Sequence, residues 1–142
     1  ILPLFDYASQ MGIIIRYLEL MSMGPLYQTA HLWLVSQDEV LQAIRKQHAI
    51  IPIPRKDNST AKYWQTANGQ VFGIIANESE PFCADCDRLR LEPGGNIYGC
   101  ISAPSGIQLA NNNTAQALQL AIKQKQEVKF SGSHISMLQM GG

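Results

Sequence analysis

The segment from Phe82 to Cys100, FCADCDRLRLEPGGNIYGC, constrains the fold most because it contains all three cysteines of the chain. Cys83 and Cys86 form a Cys-x2-Cys pair, a spacing that lets two thiolates face one metal centre from a tight loop. Cys100 follows after thirteen residues that include a glycine pair. A hairpin between the second and third cysteines can return Cys100 to the side of the pair. The pattern therefore predicts a hairpin that can bring three thiolates to one site.

The start of the chain has the pattern of a parallel α/β unit. Ile1–Met11 carries apolar residues at helical spacing, and Gly12 follows as a candidate C-cap. Ile13–Met21 is rich in β-branched and apolar residues, which is typical of a buried strand. A second helix is predicted to begin after Ser36, which can form a capping box with Glu39. Helix, glycine and buried strand is the order expected of a parallel unit.

The later part of the chain favours antiparallel β structure, so we predict an α+β fold. Segment 50–61 contains two prolines and is predicted to be an irregular connection. Segment 62–76 predicts two strands around a turn at Asn68-Gly69, and the cysteine segment predicts a second hairpin that turns at Pro93-Gly94-Gly95. A last helix is predicted from Thr114, with Asn113 or Thr114 as its cap.

Charge and hydropathy exclude several classes of protein. Lysine plus arginine and aspartate plus glutamate both number 11, so no global basic field suits nucleic acid. No apolar run approaches the roughly 20 residues of a membrane span. The apolar start is interrupted by Asp6, Arg16 and Glu19 and lacks the form of a signal peptide. We therefore expect no nucleic-acid partner, no membrane association and a cytoplasmic location.

Three cysteines are compatible with more than one chemistry. Clustered cysteines in a cytosolic protein more often bind metal or act in redox chemistry than form structural disulfides. The simplest alternative is free thiols that oxidise opportunistically. A structural zinc needs a fourth ligand, for which His134, His48 and His31 are the candidates. A four-iron, four-sulfur cluster normally takes four thiolates, so three would leave one iron open to a small molecule.

Charged residues elsewhere have both functional and simpler interpretations. Arg88 and Arg90 alternate on one strand face directly after the cysteine pair, where guanidinium groups suit phosphate oxygens; the alternative is two solvated strand arginines. Glu19 either orients Arg16 or is a polar residue with its own partners. A solvated helix face is predicted for Lys123, Lys125 and Lys129.

Three ordered motifs resemble one known family. FCADCDRLRL…GGNIYGC is similar to the C-terminal cluster motif, Phe-Cys-x2-Cys-Asn-Arg-x-Arg-Leu, of the molybdenum cofactor biosynthesis protein A (MoaA) family, which are radical S-adenosylmethionine GTP 3′,8-cyclases. Arg16–Gly24 resembles the family's strand-end motif, and the terminal Met-Gly-Gly resembles its glycine tail. The chain departs from the pattern at Ser22, where the family has proline, at Asp87, where it has asparagine, and at Glu92-Pro93, where it has a threonine stretch.

The resemblance implies a set of site residues. It implies a four-iron, four-sulfur cluster whose open iron contacts the guanine ring of GTP and whose ligands are Cys83, Cys86 and Cys100. It implies GTP binding by Arg16, Arg88 and Arg90. It also implies that two catalytic glycines, Gly141 and Gly142, reach into the active site.

The resemblance further implies a domain organisation and a reaction. Residues 1–50 would be the last βα elements of an incomplete TIM-type (β/α) barrel, and residues 51–142 a C-terminal iron–sulfur and GTP-binding region with a Gly-Gly tail. The full enzyme would convert GTP to (8S)-3′,8-cyclo-7,8-dihydroguanosine 5′-triphosphate in molybdenum cofactor biosynthesis. It would use S-adenosylmethionine and a first cluster in its N-terminal barrel.

Two features indicate that the chain is a fragment of such an enzyme. It begins at Ile1, inside a predicted helix, and it contains no Cys-x3-Cys-x2-Cys motif for the first cluster. We therefore expect it to be inactive alone. The expected partners are GTP and the N-terminal radical S-adenosylmethionine barrel, and a homodimer is left open. The alternative function is a structural zinc module, with three cysteines and one histidine, that docks or stabilises a larger protein.

Overall fold

A computed structural model describes residues 1–55, 57, 59–110, 113–126 and 128–141. The chain divides into two compact units. Unit 1 comprises Ile1–Leu20 and Leu34–Glu80, and unit 2 comprises Met21–Trp33 and Pro81–Gly142. Each unit contains a sheet with at least one helix, which confirms the predicted α+β class. The predicted domain boundary at residue 50 stays a prediction.

Unit 1 contains a four-stranded mixed sheet with strand order β1-β4-β3-β2. Its strands are β1 (Ile15–Leu18), β2 (Ile50–Ile53), β3 (Lys62–Thr66) and β4 (Val71–Ile75). β1 pairs with β4 in parallel, with Arg16 opposite Gly73, and the other pairs are antiparallel. The β3–β4 hairpin is as predicted, because its turn glycine and apolar runs are local signals. The prediction of a buried strand over Ile13–Met21 is wrong in length and burial, because β1 is an edge strand of four residues in which Arg16 and Leu18 are exposed.

Two helices complete unit 1. α1 (Leu2–Gln10) ends before Gly12, whose φ of 65° is the left-handed conformation expected after a helix. α2 (Gln37–Arg45) has the predicted capping box between Ser36 and Glu39. The core of the unit combines apolar residues from both helices and the sheet, chiefly Phe5, Val40, Leu41, Ile44, Trp64, Phe72 and Ile74.

The prediction of an irregular connection over residues 50–61 is wrong at its start, where β2 forms. β2 lies at an edge of the sheet and pairs only with β3, with Pro52 opposite Trp64. Proline lacks an amide hydrogen, and an edge strand tolerates it because one side of the strand needs no ladder partner. The two prolines therefore indicate an edge strand followed by a loop.

Unit 2 contains a three-stranded antiparallel sheet and one helix. The strands, in spatial order, are β5 (Arg90–Leu91), β6 (Asn96–Tyr98) and β7 (Ile107–Gln108). The β5–β6 pair confirms the predicted hairpin, and Gly95 in its turn has a φ of 80°. Helix α3 (Thr114–Ile122) begins at Asn113, whose Oδ1 accepts the Gln116 amide hydrogen at 2.8 Å.

The sequence did not predict β7 or three short 3₁₀ turns, which are Gly24–Leu26, Ala30–Leu32 and Met137–Met140. The apolar core of unit 2 consists of Met23, Tyr98, Ala103, Phe130 and Met140, and Cys83 packs against it. Within the part of the chain that the structure describes, no helix is long and apolar enough to cross a membrane.

Candidate functional site

The Cys-x2-Cys pair lies on a tight turn. The Cys86 amide donates a hydrogen bond to the Cys83 carbonyl at 3.2 Å, so the two cysteines occupy the first and last positions of the turn. Cys100 lies just beyond β6, where its carbonyl accepts the Ala103 amide hydrogen at 3.0 Å. All three cysteines are free thiols and all are half-buried. Sequence and structure therefore agree on a turn and a hairpin as the supports of the three thiols.

The Cys83 thiol interacts electrostatically with the other two. Its pKa is raised, first by burial and then by the negative charges of Cys100 and Cys86. A backbone hydrogen bond from Phe130 and the Arg88 charge lower the Cys83 pKa but do not reverse the shift. Burial and the two neighbouring cysteines therefore both favour the protonated form of Cys83.

Cationic groups surround the Cys86 sulfur. Arg88 Nη2 lies 3.2 Å from Cys86 Sγ, and Lys125 Nζ lies 3.8 Å from it. The Lys125 ammonium also donates a hydrogen bond to the Arg88 carbonyl. Cys100 Sγ accepts the Ser102 amide hydrogen at 3.4 Å. Each of the three sulfurs therefore has at least one donor directed at it.

The described residues do not form a ligand set for a single metal ion. Among the described residues, no group of three or more histidine, cysteine, aspartate or glutamate side chains could hold one. His134 packs its ring against Tyr27, with centroids 3.9 Å apart, and His48 packs against Phe5 at 5.0 Å. The thiols themselves are the soft donors that zinc and iron–sulfur clusters take.

The two predicted substrate arginines lie next to the cysteine turn. Both are half-buried, and the Arg88 guanidinium carbon is 5.3 Å from the Phe82 ring centroid. Arg90 begins β5, opposite Tyr98. Asp87, the departure from the family motif, is exposed to solvent.

The glycine tail reaches β5. Gly141 has a φ of 76°, and a Cβ atom added to it would lie 2.4 Å from the Leu91 carbonyl oxygen. This close approach places the tail against the strand that carries Arg90. The other predicted glycine, Gly142, lies outside the described residues.

Arg16 belongs to unit 1, whereas the cysteines and the other two arginines belong to unit 2. Its side chain is exposed and crosses Gly73 on β4, where a Cβ atom would lie 3.1 Å from Arg16 Cγ. Only a small residue at position 73 leaves this path open. The side chain therefore emerges on the solvent-exposed face of β1.

Glu19 has partners of its own, which favours the simpler of its two interpretations. The side chain is 2% exposed and accepts the amide hydrogens of Gln37 at 2.8 Å, Glu78 at 2.8 Å and Ser79 at 2.9 Å, as well as the Ser79 hydroxyl. One carboxylate thereby joins the end of β1, the start of α2 and the loop after β4.

We expect Glu19→Gln to lower the free energy of unfolding by about 2–3 kcal/mol, because a buried amide NH2 would face backbone donors that a carboxylate satisfied. Urea titration followed by circular dichroism measures the change. Glu39→Gln is the matched control, because its carboxylate is exposed at a helix cap, and its effect should be much smaller. Equal urea midpoints for Glu19→Gln and the unmodified chain would show that the four hydrogen bonds of Glu19 contribute little to the free energy of unfolding.

Lys125 is the residue that sequence reasoning missed. The predicted solvated helix face is wrong for this lysine, because α3 ends at Ile122 and the chain then turns towards the cysteines. Lys125 is half-buried, whereas Lys123 and Lys129 are exposed as expected. Helical periodicity in the sequence cannot predict the contact between Lys125 and the cysteine segment, because that contact depends on the residue at which α3 ends.

Comparison with known proteins gives the class of this chain. The family model described as Molybdenum Cofactor Synthesis C matches residues 13–133. The chain belongs to that family, as the resemblance in its motifs implied.

Three relatives illustrate the match. A protein named GTP 3′,8-cyclase from Aquifex aeolicus (strain VF5) is 32% identical over 111 residues, covering 78% of this chain and 35% of the relative. A GTP 3′,8-cyclase from Synechococcus sp. (strain WH7803) is 30% identical, covering 100% of this chain and 45% of the relative. GTP 3′,8-cyclase 1 of Mycobacterium tuberculosis (strain ATCC 25618 / H37Rv) is 35% identical, covering 75% and 30%. The chain therefore spans less than half the length of these relatives.

Proposed function

We propose that this chain is the C-terminal, substrate-binding part of a GTP 3′,8-cyclase of molybdenum cofactor biosynthesis. The observation that carries the proposal is the three-thiol site of unit 2, in which every sulfur has its own donor. Family membership supports the same reading, because the relatives bear the name of that enzyme. Conversion of GTP to the cyclic nucleotide requires the remainder of the protein.

The thiols of Cys83, Cys86 and Cys100 would hold a four-iron, four-sulfur cluster. A cluster binds each thiolate at a different iron, so it holds the cysteine sulfurs farther apart than a single metal ion does. This spacing is compatible with the described residues, in which the three thiols form no ligand group for one ion. When bound, the cluster would supply one iron with an open position for a substrate nitrogen or oxygen. Donors to the sulfurs, such as the Ser102 amide, also favour the ligated form.

Arg88 and Arg90 would bind the phosphates of GTP next to that cluster. They lie two positions apart, Arg90 at the start of β5 and Arg88 just before it, and both are half-buried whereas Leu89 between them is exposed. The stacking of Arg88 near Phe82 fixes one of the two groups beside the cysteine turn. The role of Arg16 in GTP binding stays a prediction from the family motif. Asp87, directly before Arg88, is exposed and adds a negative charge that opposes phosphate binding.

The glycine tail would complete the substrate site. Gly141 lies against the backbone of Leu91, one residue from Arg90, and its left-handed conformation is one that only glycine adopts readily. We propose that the tail glycines, Gly141 and Gly142, are catalytic residues that support the reaction of the nucleotide.

Unit 1 would form the last elements of an incomplete (β/α) barrel. β1 lies at an edge of its sheet, and apolar side chains remain exposed beside it, namely Leu4, Tyr7, Met11, Ile13, Ile14 and Leu18. A parallel strand with one unpaired edge, next to the exposed apolar side chains of a helix, is the surface that a preceding βα element would cover. The S-adenosylmethionine-cleaving cluster would lie in that N-terminal barrel, so the chain alone would not catalyse cyclisation. A cytoplasmic location and a homodimer stay expectations.

Anaerobic reconstitution tests the proposal. The chain is incubated with iron, sulfide and reductant, and bound iron, sulfide and zinc are determined. We expect about four irons and four sulfides per chain, and a visible charge-transfer band that GTP perturbs. Arg90→Gln should weaken the GTP response without changing the iron content. One zinc per chain with no iron would instead establish the zinc module, and GTP turnover by the chain alone would contradict its predicted inactivity.

A further inference from the structure

The end of helix α3 turns towards both cysteine-bearing segments. After Ile122 the chain continues as a turn in which the Gln124 amide donates to the Ala121 carbonyl and the Lys125 amide to the Ile122 carbonyl, both at 3.0 Å. These bonds hold the backbone that carries two consecutive side chains, Gln124 and Lys125. Each of them contacts a different part of the cysteine hairpin.

Gln124 holds the segment that carries Cys100. Its Oε1 accepts the Gly99 amide hydrogen at 2.9 Å, and its Nε2 donates to the Ser105 carbonyl at 2.9 Å. The two bonds bracket Cys100 on either side. Gly99 itself lies against the helix end, since a Cβ atom there would be 1.6 Å from the Ala121 carbonyl oxygen.

Lys125 holds the segment that carries Cys86. Its ammonium donates to the Arg88 carbonyl and lies 3.8 Å from Cys86 Sγ. The side chain is half-buried, so its charge is only partly screened by solvent. Arg88 also approaches the same sulfur, but it belongs to the cysteine segment itself, whereas Lys125 comes from a separate element and so fixes the segment from outside.

We propose that Lys125 is a positioning residue for the iron–sulfur cluster, and that it holds Cys86 and offsets the charge that the cluster gains on reduction. The inference rests on the proposed function. A cation within 4 Å of a cluster thiolate stabilises the reduced, more negative state over the oxidised state. The same ammonium, through the Arg88 carbonyl, fixes the backbone two residues beyond Cys86.

Four variants of the reconstituted 142-residue chain separate the charge from the anchoring role. Lys125→Met removes both, Lys125→Gln keeps a donor for the Arg88 carbonyl without the charge, and Lys125→Arg keeps the charge. Lys123→Met is the matched control, because that lysine is exposed two residues earlier. The measurements are iron and sulfide content and the midpoint potential of the cluster in a mediated redox titration.

We expect Lys125→Met and Lys125→Gln to shift the midpoint potential to more negative values. At a fixed potential the ratio of reduced to oxidised cluster should fall up to tenfold, which is about 59 mV for one electron. Lys125→Arg and Lys123→Met should titrate close to the unmodified chain. Lys125→Met should also retain less iron than Lys125→Gln, because it loses the anchor as well.

The outcomes distinguish the inference from the function on which it rests. If the unmodified chain loads a cluster and Lys125→Gln titrates at an unchanged potential, the charge role of Lys125 is overturned while the cluster assignment stands. If the unmodified chain and Lys123→Met both fail to load iron, the proposed function and the inference fall together. Should Lys125→Met fail to fold, Lys125→Gln and Lys125→Arg still give the comparison.

Discussion

The Cys86→Ser variant is expected to lose the iron–sulfur cluster. The substitution leaves two thiolates, whereas the proposed four-iron, four-sulfur cluster needs three. A serine hydroxyl does not replace the lost thiolate because it is a poor ligand for iron. After anaerobic reconstitution, iron and sulfide should fall to the background level and the visible band should disappear. The fold should survive, because the Cys86 side chain is half-buried and does not belong to the apolar core of unit 2.

The choice of Cys86 over Cys83 keeps ligand loss apart from unfolding. Cys83 packs against the apolar core, so its replacement by a polar side chain would also destabilise unit 2. Ala84→Ser is the matched control, because it adds the same hydroxyl to the same turn at an exposed position and removes no thiol. Full iron loading in Cys86→Ser, with the band retained, would show that the cluster is held in another way.

The parts of the site that the sequence predicts are those set by local chemistry. The Cys-x2-Cys turn and the β5–β6 hairpin depend on spacing and on a glycine that adopts a positive φ, and both form as expected. The capping box of α2 is local in the same sense, because Ser36 and Glu39 are three residues apart. Such features need no knowledge of what packs against them.

The parts that sequence reasoning missed depend on tertiary neighbours. β2 was missed because two prolines exclude an interior strand but not an edge strand, and the position of a strand in a sheet is not a local property. Lys125 was missed because its contact with Cys86 joins residues 39 positions apart. Glu19 shows the same limit, since its partners at Glu78 and Ser79 lie about 60 positions away along the chain.

Packing at Gly99 links these tertiary contacts to the cysteine site. The residue lies directly before Cys100, and its amide is bound by Gln124 at 2.9 Å. A Cβ atom at this position would be 1.6 Å from the Ala121 carbonyl oxygen and 2.5 Å from its carbon. Both are backbone atoms of α3, so neither can move without displacing the helix from the hairpin.

We therefore expect Gly99→Ala to destabilise unit 2 by about 3 kcal/mol or more, because overpacking against backbone cannot be relieved by a change of rotamer. Separation of α3 from the hairpin would also withdraw Gln124 and Lys125 from the cysteine segments, so iron loading should fall together with stability. Chemical denaturation gives the first quantity and reconstitution the second.

Gly94→Ala tests whether the effect is specific to this contact. A Cβ atom at Gly94 would come closest to the carboxylate oxygen of Glu92, at 3.0 Å, which is the far end of a flexible side chain, and its other contacts are ordinary ones at 3.7 and 3.9 Å. This variant should cost less than about 1 kcal/mol and should load iron normally. If Gly99→Ala were as stable and as fully loaded as Gly94→Ala, the close packing of α3 on the hairpin could not be what holds the three cysteines in place.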